Sequence, residues 1–161
     1  MGGEVTTRTL IVLRHAKAAH VHGLADRERP LTGRGERDAR RVGETLTGMD
    51  LHPDLVLCSP SERTRQTARL VLPDADITFD PAIYEAYSDE LLTLIRRSDP
   101  EIRTLMLVGH NPGVHELVLD LTAGDGDPGF PPGAFAVIET EDEWAELEAG
   151  RGVARWSPKE H

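Results

Sequence analysis

Short, continuous apolar runs alternate along this chain with longer stretches in which apolar residues recur every three or four positions. Residues 9–13 form the first run, too uniformly apolar for a strand with one wet face, and predict a strand buried on both sides. A polar stretch over 17–29 reads as a loop. Residues 33–49 then place Ala39, Val42 and Leu46 on one face and charges on the other, the spacing of an amphipathic helix. Residues 55–58 give a second buried strand. Ser59-Pro60 predicts the next helix start, with Ser59 as N-cap, Pro60 in the first position and Glu62 in the first turn. That helix runs to about Leu72, where Pro73 stops it.

The second half repeats the rhythm. Residues 77–79 predict a short strand, Asp80-Pro81 opens a loop, and 89–97 a helix closed by Ser98-Asp99-Pro100. A strand over 104–108 is followed by a helix over 113–122. Residues 124–133 are dense in Gly, Asp and Pro and read as a loop. Residues 134–139 and 153–156 predict strands, while 144–148 fit either a short helix or an edge strand. Strands alternating with helices imply one α/β domain over residues 1–161, a three-layer αβα sandwich around a mostly parallel sheet.

At 161 residues the chain can bury a proper core as a single domain. A formal net charge of −10 argues against nucleic acid and anionic membranes as partners. No apolar run approaches the ~18–20 residues of a membrane span. The start Met1-Gly2-Gly3-Glu4-Val5-Thr6 matches an N-myristoylation pattern. No polybasic patch follows to add a second anchor, and no signal peptide is visible. Cys58 is the single cysteine, so an intrachain disulfide is impossible and a reducing, cytoplasmic location is expected. The preference for Arg over Lys suggests a GC-rich bacterial genome.

The candidate chemistry sits at strand ends. The first strand runs into Arg14-His15, and the fourth into Val108-Gly109-His110-Asn111-Pro112. Two such strands can deliver both imidazoles to one sheet edge, the edge where open α/β sheets bind ligands. Arg14, together with Arg63 in the turn Ser59-Pro60-Ser61-Glu62-Arg63, points to a phosphate. Phosphoryl transfer without a metal needs an in-line nucleophile and cationic donors on the equatorial oxygens. A neutral imidazole serves as the first, and the planar Arg fork serves as the second. His15 is the expected nucleophile, with Arg14, Arg63 and His110 as the clamp.

Other readings are weaker. Cys58 suggests a thiolate phosphatase, but the position six residues on is Thr64, not Arg. His20 and His22 lack companions that would complete a metal site, and no glycine-rich nucleotide loop occurs, so neither metal nor cofactor is expected. Lys17, Arg65 and Arg69 are expected at the surface.

These residues resemble the histidine phosphatase superfamily, of phosphoglycerate-mutase-like fold. Arg14-His15-Ala16 stands where that family usually has Arg-His-Gly. A small residue at 16 still leaves the backbone room to approach phosphate while φ is negative. Ser59-Pro60-Ser61-Glu62-Arg63-Thr64-Arg65-Gln66-Thr67-Ala68 and Val108-Gly109-His110-Asn111-Pro112 follow in the family's order. Arg29-Pro30-Leu31-Thr32-Gly33-Arg34-Gly35, with Lys17, narrows the likeness to the SixA-type branch, the phosphohistidine phosphatases.

The resemblance implies that His15 is transiently phosphorylated, that Arg14, Arg63 and His110 hold the phosphoryl group, and that Asn111 sits at the pocket rim. The proton donor is implied to be either Glu85 or Asp26. Glu85 matches an acid in the loop after the third strand, and Asp26 matches one ahead of Arg-Pro-Leu in the SixA-type branch. An alkoxide leaving group requires such an acid far more than the imidazole of phosphohistidine does. Only about twenty residues join the third strand to the fourth, too few for a lid domain. An open site of this kind suits a phosphorylated protein. The alternatives are a phosphatase of small phosphomonoesters and, from a different class, a non-catalytic phosphate-binding module.

Overall fold

Parallel pairing of the first and fourth predicted strands builds the centre of the molecule. The computed structural model describes residues 6–124 and 126–158; the myristoylation pattern at 1–6 lies almost wholly outside them. In chain order the elements are β1 (Arg8–Arg14), α1 (Gly33–Gly48), β2 (Leu55–Cys58), α2 (Glu62–Val71) and β3 (Ile77–Phe79). Then come α3 (Ser88–Arg96), β4 (Thr104–Gly109), α4 (Gly113–Thr122), β5 (Phe135–Thr140) and β6 (Arg151–Trp156). The six strands form one sheet in the order β3-β2-β4-β1-β5-β6. β3, β2, β4 and β1 pair in parallel, and β5 and β6 are antiparallel.

The continuous apolar runs are explained by helices on both faces. Strand side chains alternate, so Leu10, Val12, Leu105 and Leu107 pack with α3 and α4 on one side. Ile11, Leu13, Met106 and Val108 pack with α1 and α2 on the other. Burying each such Leu or Ile stabilises the fold by ~1.5–3 kcal/mol.

This layering positions the site. After β1 the chain turns to α1 on one face, and after β4 it turns to α4 on the opposite face. The carboxyl ends of β1 and β4 therefore border a crevice where the connections diverge, the usual ligand position in such sheets.

The structure refines several local expectations. α2 begins at Glu62 with Ser61 as N-cap, two residues later than the expected start at Ser59-Pro60. The Ser59 side chain is engaged elsewhere, as described below. The loops at 17–29 and after Asp80 each contain a 3-10 turn, Asp26–Glu28 and Pro81–Ile83. Residues 144–148 are neither α-helix nor strand: Trp144–Glu146 is a 3-10 turn, its ring fully buried and its Nε1–H donating to the Ile102 carbonyl at 2.8 Å. Arg65 and Arg69 lie at the surface, as expected, over the Phe79 ring at 4.9 and 5.6 Å from its centroid. Lys17 is exposed, as expected.

Candidate active site

Register brings the two histidines together. Arg14 pairs with Gly109 and Cys58 with Val108, so His15, His110 and Ser59 each follow directly on adjacent strand ends. Their backbones are stitched across: His15 N–H donates to the Gly109 carbonyl at 3.1 Å and Ser59 N–H to that of Val108 at 3.1 Å. The imidazole centroids stand 5.4 Å apart.

His15 is 8% exposed, and its Nδ1 lies 2.7 Å from the Ala16 carbonyl oxygen. A carbonyl only accepts, so Nδ1 carries the proton and Nε2 holds the free lone pair. Burial, with His110, Arg14 and Arg63 adding their charge, brings the His15 pKa down to about 3. The ring is thus neutral and nucleophilic throughout the physiological range.

His110 is oriented from both nitrogens. Arg63 stands 3.3 Å from Nδ1 and is always a donor, which leaves the Nε2 proton to the Ser59 hydroxyl at 2.8 Å. Burial first, then Arg63, brings the His110 pKa down to about 4.

The two arginines face this pair. Arg63, in the first turn of α2, is 7% exposed. Its fork donates to the Asp26 carbonyl at 2.8 Å and the Asp26 carboxylate at 3.0 Å. Arg14 donates to the Phe130 carbonyl at 3.2 Å, while its buried Nε–H has no acceptor among the described residues. Burial and Arg63 lower the Arg14 pKa. A concentrated pair of guanidinium groups with a spare buried donor is a site for an anion.

Of the remaining predicted residues, Asp26 joins this cluster directly. Tyr84 donates to its carboxylate in a short hydrogen bond, and Arg63 and Arg29 add theirs. Tyr84 foremost, with Arg63 and Arg29 behind it, holds the Asp26 carboxyl well below the usual carboxylate range, against a smaller effect of desolvation. Asn111 turns its amide to the Phe130 carbonyl at 2.8 Å. Glu85 borders a groove of about 290 Å³ whose walls include Arg63, His110, Asn111, Tyr84 and Tyr87.

Ala16 has no positive φ, as required. Its N–H, however, is taken by the Thr67 hydroxyl at 3.0 Å and does not face a phosphate. Cys58 is buried, and burial pushes its thiol up to about 12, which makes it inert. Ser59, Thr67, Tyr84 and the Phe130 carbonyl were not anticipated as site components. Ser59 carried a signal, since it ends a strand beside the one that ends in His110.

The two neutral imidazoles have a measurable consequence. Both fold with pKa values near 3 and 4, while the unfolded chain titrates at the ordinary ~6.5. Between those values the unfolded state binds more protons. Stability is therefore full above about pH 6.5 and falls as pH drops towards 3, by on the order of 5 kcal/mol for the two rings together by about pH 4.5. Thermal melts across this window are expected to show a shallower decline for His15→Asn than for the wild type. Parallel declines would contradict a neutral buried His15.

Comparison with known proteins is consistent across sequence and fold. Residues 10–102 match the histidine phosphatase superfamily (branch 1). An uncharacterized protein of Mycobacterium tuberculosis is 33% identical over 147 residues, covering 86% of this chain and 93% of its own. The phosphohistidine phosphatase SixA of Escherichia coli (strain K12) is 26% identical over 159 residues, 91% of each chain. The solved structure of a candidate phosphohistidine phosphatase SixA from Nakamurella multipartitia superposes with a TM-score of 0.86 at 31% identity, over 94% of this chain and 96% of that one.

Proposed function

Because the chain belongs to the histidine phosphatase superfamily, branch 1, we propose that its substrate is phosphohistidine in a protein, with His15 as the nucleophile. In the first step His15 Nε2 attacks phosphorus, the P–N bond of the substrate breaks and its electron pair returns to the leaving imidazole. In the second, water attacks the phosphorylated His15, releasing phosphate and restoring the free ring. Arg14 and Arg63 hold the phosphoryl oxygens as their charge shifts, and His110 joins them by turning its Nε2–H from the Ser59 hydroxyl to a phosphoryl oxygen. Asn111 braces the Phe130 carbonyl that orients Arg14.

One observation carries the choice of substrate. Asp26, the carboxyl bonded to the clamp, is held ionised by Tyr84, Arg63 and Arg29. Burial and Asp26 push the Tyr84 hydroxyl pKa up, so that group keeps its proton as well. Neither is an acid for a departing alkoxide. An imidazole, with its pKa of ~6.5, departs without one. Asp26 thus positions Arg63 and does not donate a proton.

A macromolecular substrate is supported by the walls of the site. Of the connection between β3 and β4, residues 84–87 border the groove, and the remainder packs away as α3. The two segments that carry Asp26 and Tyr84 also expose Val21, Leu24 and Tyr87, an apolar rim suited to a docked protein. No helix among the described residues is long and apolar enough to cross a membrane. A bacterial cytoplasm, where Cys58 stays reduced, is the proposed location.

Rates on a phosphohistidine protein, a phosphoserine peptide and sugar phosphates test this reading. Phosphohistidine is expected to lead in kcat/KM, because its imidazole leaves without the general acid that an alkoxide requires. Comparable rates on the phosphoesters would instead favour a small-molecule phosphatase.

A further inference from the structure

We propose that Glu85 recognises the leaving group, accepting a hydrogen bond from the distal ring nitrogen of the substrate's phosphohistidine. This rests on the phosphohistidine reading above and adds how the imidazole is made ready to leave.

The groove beside the clamp is built for a ring. Its lining combines Arg63 and His110, which border the phosphoryl seat, with Glu85 and Tyr87. Tyr84 forms a wall, its ring edge-on to His110 with centroids 5.4 Å apart and its face covered by the Arg27 guanidinium at 4.8 Å. At about 290 Å³ the space accommodates a histidine side chain and some of its backbone. Aromatic walls suit a flat heterocycle.

Glu85 is held at this groove on purpose-shaped backbone. It adopts φ 60°, the left-handed region that a residue with a side chain enters only when its surroundings impose it. The imposition is visible on both sides. Ile83 and Ala86 are buried, and a Cβ on Gly113 would lie 2.2 Å from the Ala86 carbonyl oxygen, so α4 is pressed backbone-to-backbone against this segment. Anchored there, the chain turns Glu85 outward. Among the described residues its carboxylate has no hydrogen-bond or ion-pair partner, unlike Asp26, which has several.

The chemistry explains what an unpaired carboxylate does in that position. When His15 attacks, the P–N electron pair returns to the departing nitrogen. If the distal nitrogen already bears a proton, the leaving group is neutral imidazole and no proton need reach the departing atom. If it does not, imidazolate would have to leave, which is far harder. A carboxylate lining the same groove as the clamp keeps that distal proton in place, since an adjacent opposite charge raises the pKa of a cationic ring. The Glu85 carboxylate undergoes no net change in the step.

Glu85→Gln tests this at an exposed position that tolerates the isostere. Two substrates are used: a phosphohistidine peptide and p-nitrophenyl phosphate, whose leaving group has no second nitrogen. The variant's loss in kcat/KM on the peptide is expected to exceed its loss on the aryl phosphate by about tenfold at pH 8, the effect of one pKa unit. The alkaline limb of the peptide profile is expected to move to lower pH by about one unit, with Glu85→Asp restoring part of the shift. Equal losses on both substrates, or an unmoved alkaline limb, would overturn the assignment. A wild-type enzyme inactive on the peptide but active on the aryl phosphate would instead overturn the phosphohistidine reading itself.

Discussion

His15→Ala is expected to lose turnover by about 10⁴-fold or more while remaining folded, the scale seen when a covalent nucleophile is removed. The expectation comes from the ring's two nitrogens. Nδ1 is committed to the Ala16 carbonyl, so a single lone pair, on Nε2, is available to attack phosphorus. No other nucleophile replaces it: the His110 Nε2 faces Ser59, and the Cys58 thiol stays protonated under burial. The fold should survive because β1 and β4 are held by backbone pairing and by apolar faces that His15 does not join. Circular dichroism checks the fold, and labelled phosphohistidine substrate with acid-labile trapping checks the intermediate. Wild-type protein is expected to retain label on one histidine and the variant none. Appreciable turnover in His15→Ala would reject the nucleophile. Failure to trap label on the wild type, with no turnover, would favour a phosphate-binding module.

How much of this was legible in the sequence follows from the range of the forces involved. The parallel centre was legible because strands covered on both faces must be apolar at every position, as 10–13 and 105–108 are. The convergence of His15 and His110 was legible because each ends such a strand. The start of α2 was misplaced because Ser-Pro has the local form of an N-cap. Only the tertiary fold reveals that the Ser59 hydroxyl serves His110, fifty-one residues away. Asp26 was recognised as a candidate acid by position, but its ionised state depends on Tyr84, fifty-eight residues away, and Arg63, thirty-seven away. Local pattern carries no information on such pairs. The Phe130 carbonyl is a backbone group, so no residue type could have announced that it orients both Arg14 and Asn111. It lies in the Gly- and Pro-rich segment that read as featureless loop.

The clamp provides the second large effect. Arg63→Ala is expected to cost about 3–4 kcal/mol of transition-state stabilisation, or ~10²–10³ in kcat/KM, comparable with losing a preorganised donor at a developing charge. Arg63 reaches this value because its preorganisation is already complete. It is buried in the first turn of α2, and its fork is fixed by both oxygen types of Asp26, so little side-chain freedom remains to be lost when substrate arrives. Arg63→Lys keeps the charge but not the two parallel N–H groups, and lysine cannot hold the Asp26 carbonyl, the Asp26 carboxylate and a phosphoryl oxygen in one plane. It is therefore expected to recover less than about a tenth of the lost rate, where a purely coulombic clamp would recover most of it. The loss should fall mainly on kcat and on the rate of labelling His15, because the interaction strengthens as charge moves onto the phosphoryl oxygens. A change confined to KM would mean that Arg63 binds the ground state and transition state alike, and the clamp would then be a docking contact.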